Sequence, residues 1–336
     1  MDHALWKTAI KPFACPDNPR AAAIAVLNFA LYFFAATAGV WSLSHLPWLT
    51  PLAIVTGAAA TVRIFSAQHD CGHGSFFSSR FARNLLGTVS GFFTLTAYAS
   101  WRKVHAIHHK EAGNLSTRDT GDFPLWTCAE YANKSKKEQR QYRLMRHPIT
   151  IVGIAPVLVF FVAHRFHMMD WMPIRQRFRF SGYEQRSVWI NNLGILALIA
   201  LWIHLAGWQG FLLIQLPIWW LSVVVGSMLF FVHHQYENTY WHNTPDYYQV
   251  AMQGSSFWQL PDVLSWCVGY TNYHHLHHLS PLIPSYKLKA CHEALPQFHG
   301  APTLSLWEGL TTFKYALWDE QHHRLVPFKQ QNSLTQ

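Results

Sequence analysis

His69-Asp70-Cys71-Gly72-His73, His105-Ala106-Ile107-His108-His109 and His274-His275-Leu276-His277-His278 stand among strongly apolar segments. Residues three or four apart on a helix share a face, so each cluster is expected to aim two or three imidazoles in one direction. With 22 His in 336 residues, H-x-x-H-H arises by chance about 0.1 times per chain, and twice in roughly 0.004 chains. The clusters therefore read as ligands of a membrane-embedded metal site.

Half of the residues are hydrophobic and 13% are charged, more apolar than a soluble core of this length requires. Residues 21–41, 49–67, 188–205 and 211–232 each approach the ~20 residues that cross a hydrocarbon core of ~30 Å. Four transmembrane helices in two hairpins are predicted. Residues 84–100 and 149–163 are also apolar. Were the first to cross, the first two histidine clusters would lie on opposite faces of the membrane; were the second to cross, the basic stretches 102–146 and 165–186 would do so. Both are read as interfacial or re-entrant.

The connections 42–47 and 206–210 contain no Lys or Arg, whereas the segments holding the clusters are rich in both. This predicts one cytoplasmic cap holding every cluster, the amino terminus and the polar region from about Glu237 onward. The formal charge of +9 then follows from the positive-inside rule and attraction to anionic headgroups. Nucleic-acid binding is excluded, since the basic residues flank apolar spans and no groove-reading motif accompanies them. The amino terminus does not read as a cleaved signal peptide, because Asp17 and prolines precede any apolar run. Cys15, Cys71, Cys128, Cys267 and Cys291 form no C-x-x-C pair and read as inert thiols. No repeat or composition break divides residues 1–336, which read as a single domain.

Imidazole suits zinc, copper, iron and nickel. Eight histidines stand at the matching positions: His69, His73, His105, His108, His109, His274, His277 and His278. One tetrahedral zinc takes at most four, so two ions with open positions are expected, suited to oxygen chemistry on an apolar substrate. Outer partners are expected to fix the imidazole tautomers. Asp70 and Glu237 are the leading candidates and Asp262 a weaker one, while Glu111 and Asp119 read as loop carboxylates. His45 and His204 fall at or near the expected non-cytoplasmic side, His164, His167, His242, His292, His299, His322 and His323 lack box spacing, and most of these read as interfacial or surface residues. Trp48, Trp171, Trp202, Trp208, Trp219 and Trp220 read as bilayer anchors and lipid-facing bulk.

H-D-C-G-H-G-S at 69–75, W-R-K-V-H-A-I-H-H at 101–109 and H-H-L-H-H-L-S-P-L-I-P-S-Y at 274–286 resemble the histidine boxes of membrane fatty acid desaturases, in particular the bacterial and cyanobacterial acyl-lipid branch. G-N-L-S-T-R-D-T-G-D at 113–122, H-H-Q-Y-E-N-T-Y-W at 233–241 and Q-G-S-S-F-W-Q-L-P at 253–261 agree. The resemblance implies His234 as a further ligand, with His233 left out of the set. It also implies a non-haem di-iron centre that uses O2 to introduce a cis double bond into acyl chains of membrane lipids. Delta-12 (omega-6) is favoured and delta-5 is the other position considered. Such a site needs an apolar tunnel for the acyl chain, for which residues 84–101 and the fourth helix offer candidate lining.

No haem-binding H-P-G-G signature occurs in the sequence, so electrons are expected from a separate carrier, a ferredoxin or a cytochrome b5. Its docking site is expected at Lys134, Lys136, Lys137, Arg140, Arg143 and Arg146. The expected location is the bacterial inner membrane, with the active site on the cytoplasmic side. Two other readings share parts of the pattern: a di-iron hydroxylase of fatty acyl, alkane or carotenoid substrates, and a membrane metal carrier or sensor.

Overall fold

Asp17 opens the first long helix by accepting a hydrogen bond from the Arg20 amide at 3.1 Å, and a proline stands in that helix's first turn. A computed structural model describes residues 3–118, 122–166 and 181–330 of the chain. Asp119, His167 and Trp171 lie outside the described residues.

Five helices lead through the first two boxes: α1 (His3–Ile10), α2 (Asn18–His45), α3 (Thr50–His73), α4 (Arg80–Phe93) and α5 (Tyr98–Glu111). The hairpin between α2 and α3 is tied by a 2.7 Å hydrogen bond between Ser42 Oγ and Thr50 Oγ1. Small residues let the helices approach closely, as they do in membrane bundles. Gly39 lies against Ile214 and Ala53, and Gly57 lies against Ile218. The opposite surfaces carry exposed Val26, Phe33, Phe34, Leu52 and Val55, an apolar belt that water does not favour.

Among the described residues, three segments are long and apolar enough to cross a membrane: Asn18–His45, Pro47–His73 and Gly182–His234. The third contains both remaining spans expected from sequence. It is broken at Gly207, whose φ of 67° and ψ of 177° are not helical. Ile195, Leu198 and Ile199 before the break pack with Phe211, Trp219 and Val223 after it, so the chain doubles back there. Trp219 is buried and donates from Nε1 to the Phe93 carbonyl at 2.8 Å. This corrects its reading as lipid-facing bulk; Trp48, Trp208 and Trp220 are exposed.

The apolar stretch 84–100 proves to be a helix, a turn and the start of another helix. α4 ends at Phe93, residues 94–97 reverse the chain with Leu95 at φ 56°, and α5 returns. Gln68 holds the turn by accepting from Thr94 Oγ1 at 2.6 Å and donating to the Thr96 carbonyl at 3.1 Å. Gly87 lies against the Tyr98 ring, where an added Cβ would come within 2.5 Å, and the Tyr98 hydroxyl is anchored on the Cys71 carbonyl. Gly87→Ala, which in an open helix would stabilise, is therefore expected to cost about 1–3 kcal/mol by overpacking. The midpoint of thermal unfolding of the detergent-solubilised protein checks the sign.

The second stretch read as interfacial or re-entrant forms Thr150–Arg165, bent by 60° from helix Lys136–Met145. Arg165 ties it to Asn191 Oδ1 at 2.8 Å, to Asn192 Oδ1 and to the Leu95 carbonyl.

The rest of the chain packs over the box-bearing ends of these helices. Trp6 and Ile10 of α1 pack on Leu276, Leu279, Ile283 and Leu288, which leaves the histidines of helix His274–Leu279 for its other side. Strand Trp126–Thr127 pairs in parallel with Leu317–Asp319, which pairs antiparallel with Arg324–Val326. Phe257–Gln259 pairs in parallel with Thr303–Ser305.

Candidate metal centre

α3 ends immediately after the first box because Gly74, at φ 81°, takes the left-handed conformation that closes a helix. His69 and His73 thus sit on the last turn, one helical repeat apart. α5 delivers His105, His108 and His109. Helix Leu216–His234 ends on His234, and helix His274–Leu279 delivers His274, His277 and His278.

All nine histidines expected as ligands come together, in two adjoining groups. His69, His73, His105, His109 and His277 form one, and His108, His234, His274 and His278 form the other, with the ring nitrogens of each group mutually within 4.8 Å. The second group is wholly buried, while His73, His105 and His109 of the first are only partly so. The groups abut where the His109 and His278 rings stack at 4.3 Å.

Each H-x-x-H-H box is divided between the groups rather than aimed in one direction. Successive helical residues turn by about 100°, so the third and fourth positions after a histidine diverge by that angle. His105 and His109 consequently face one centre and His108 the other.

The donor chemistry fits cations. Nε2 separations are 3.0 Å for His69 and His105, 3.1 Å for His105 and His109, 2.9 Å for His109 and His277, and 3.0 Å for His234 and His274. A ring nitrogen offers either one N–H or one in-plane lone pair. His105 and His109, each with two such neighbours, cannot satisfy both contacts by hydrogen bonding. Nε2 of His73, His108 and His278 is buried without a hydrogen-bond partner. Burial first, and then the neighbouring imidazoles, hold His105, His109, His274, His277 and His278 well below the ordinary histidine pKa. They are neutral at pH 7, with lone pairs free to bind metal.

Outer partners fix several rings. Asp70 Oδ1 lies 3.1 Å from His69 Nδ1, and its other oxygen accepts from the Ser285 amide at 2.6 Å. The Gly254 carbonyl lies 3.0 Å from His234 Nδ1. Asp122, not anticipated from sequence except as part of the 113–122 segment, places Oδ2 3.5 Å from His108 Nδ1. Burial raises its pKa, but His108 outweighs that and holds the carboxyl below its usual range.

Glu237 does not reach a box histidine. Its carboxylate accepts from Tyr315 Oη at 2.7 Å and pairs with Arg324 at 3.2 Å, because helix Leu216–His234 has already ended and Gln235 (φ −114°, ψ 69°) redirects the chain. Asp262 is exposed and pairs with Lys289 at 2.6 Å. His233 stacks on His274 at 4.1 Å but belongs to neither group. Trp101 stacks on His105 at 4.6 Å, and Phe230 lies 5.0 Å from His108. Arg146, expected at a docking surface, is buried and bound to Gln235 and the Tyr315 carbonyl. Lys134, Lys136, Lys137, Arg140 and Arg143 are exposed.

Comparison with known proteins agrees with this geometry. Residues 43–309 match the profile of the family described as fatty acid desaturase. A Bacillus subtilis protein named fatty acid desaturase is 37% identical over 95% of this chain and 89% of its own length. An sn-1 oleoyl-lipid 12-desaturase of Anabaena variabilis is 27% identical over 78% of this chain and 73% of its own length. A Synechocystis protein named sn-1 acyl-lipid omega-3 desaturase (ferredoxin) is 26% identical over 70% of this chain, which spans 64% of that relative. With the boxes, the paired histidine groups and these matches together, the chain belongs to the fatty acid desaturase family, oxidoreductases acting on acyl lipids.

Proposed function

We propose that this enzyme is an O2-dependent di-iron desaturase that forms a cis double bond in acyl chains of membrane glycerolipids, at delta-12 (omega-6) in preference to delta-5. The observation that carries this reading is the assembly of the nine histidines into two adjoining groups at the ends of apolar segments. His69, His73, His105, His109 and His277 would hold one iron and His108, His234, His274 and His278 the other. Bound iron would supply the oxygen-activating redox chemistry by which O2, two hydrogens from adjacent methylenes and two externally supplied electrons with two protons yield the alkene and two waters.

The protein's own contribution is positional. Burial of the second group keeps water from it, Asp70 and the Gly254 carbonyl hold His69 and His234 in orientation, and the Asp122 carboxylate faces His108 Nδ1 at 3.5 Å. The acyl chain must be held so that only one pair of methylenes meets the site. Delta-12 is supported by the named activity of the Anabaena relative.

The same reading gives four membrane crossings, with the doubling back at Gly207 supplying the second hairpin. All boxes then lie on the cytoplasmic side of a bacterial inner membrane, in one domain. A separate ferredoxin or cytochrome b5 would deliver electrons through the exposed basic residues of 134–143. Exchanging Lys136 and Lys137 together for Glu is expected to slow electron delivery by an acidic carrier about tenfold at low salt, with the difference shrinking as salt rises. Carrier-dependent turnover at two ionic strengths checks this.

The decisive test is the acyl profile of a host expressing the chain with a compatible carrier, with double bonds localised by mass spectrometry. A new cis-alkene supports desaturation and reads out its position. A hydroxylated chain, or no new product, would overturn it.

A further inference from the structure

A cavity of about 190 Å³ lies between α2, α3 and segment 266–286, separate from the histidine groups. Arg63 lines it and is only 5% exposed. Its Nε donates to Asn28 Oδ1 at 2.8 Å and Nη1 donates to the Trp266 carbonyl, while the guanidinium lies 3.9 Å from the Trp266 ring centre. Each of these partners is neutral. Arg20 lines the same cavity, with its guanidinium 5.3 Å from the Tyr286 ring. Among the described residues no carboxylate pairs with either side chain.

A buried cation without a counter-charge is costly, and one facing a cavity calls for an anion. Depth narrows the choice. On the proposed membrane crossings, with Pro47 at the opposite edge, Arg63 stands about 24 Å along the helical path, close to the ~30 Å thickness of a hydrocarbon core. It therefore lies near the headgroup boundary, and Arg20, at the start of α2, lies farther out. The wall also includes apolar Ile24, Leu27 and Phe76 and the polar Ser66 and Ser285, whose hydroxyls bond to each other at 3.1 Å. That combination suits an oxyanion attached to hydrocarbon, which Arg can grip with paired donors.

We propose that this cavity binds the phosphate of a membrane glycerophospholipid, with Arg63 at its floor and Arg20 at its mouth. The site stands independently of the position at which the enzyme acts, and it brings the lipid to a wall that adjoins the first box, since Ser285 also donates its amide to Asp70.

Native mass spectrometry of the full chain in detergent tests this. The probes are dioleoylphosphatidylglycerol, uncharged monogalactosyldiacylglycerol and inorganic phosphate. The wild-type chain is expected to retain one phosphatidylglycerol in preference to the galactolipid, and Arg63→Gln and Arg20→Gln are each expected to lower that occupancy at least about tenfold, as loss of a charge-assisted contact does. Galactolipid retention should not change. Arg20 is exposed, so its variant reports on binding even if Arg63→Gln impairs folding. Equal phosphatidylglycerol retention by wild type and Arg20→Gln would overturn the proposal. Arginine-dependent binding of inorganic phosphate without lipid would overturn the lipid assignment and leave a free-phosphate site. Neither readout depends on desaturation.

Discussion

His108→Ala is expected to lower turnover at least about 100-fold and, on the proposed di-iron assignment, to remove one of the two irons, because the variant would lose an inner ligand from a group with no spare member. Only His234, His274 and His278 remain there, all buried, so solvent does not easily replace the missing imidazole. His277→Ala is expected to abolish turnover as well, but to retain more metal, since four histidines remain in its partly open group. Iron per chain by plasma mass spectrometry, measured beside acyl product, separates the two. Full activity with two irons in either variant would refute the ligand assignment, and His322→Ala, altering a residue bound to Asp319, should leave both quantities near wild type.

The second large effect is expected at a carboxylate. Asp122→Asn keeps the shape of the side chain while removing the charge that faces His108 Nδ1, and loss of such an outer partner typically costs 10–100-fold in activity or metal affinity. Glu237→Gln, matched in chemistry but directed at Tyr315 and Arg324, is expected to stay within about threefold of wild type. Steady-state turnover and iron content of this isosteric pair supply the check. Equal losses in both variants would mean that the Asp122 contact has no special bearing on the site.

The contrast between those carboxylates shows what sequence could and could not reveal. Histidine spacing describes relations within a single helical turn, and it picked out the eight box histidines that the structure brings together; the likeness of the H-Q-Y-E segment added His234. The Asp122 contact joins α5 to a loop and leaves no periodic trace. Glu237 looked suitable because it follows His234 by three residues, yet that relation holds only while the helix continues, and it ends at His234. Trp219 was misread for a related reason: an apolar residue in a span faces either lipid or protein, and the Phe93 carbonyl that engages its indole comes from a distant element. The short uncharged connection at 206–210 coincides with the break in the third apolar segment, where Gly207 leaves helical geometry.

The division of each H-x-x-H-H box between two centres has a thermodynamic consequence. α5 and helix His274–Leu279 each carry donors for both groups, so an ion captured by one centre immobilises the backbone that presents ligands to its neighbour. The second ion then binds a framework whose ordering entropy has already been spent. Metal uptake by the apoprotein is accordingly expected to be positively cooperative, with singly loaded chains scarce during titration.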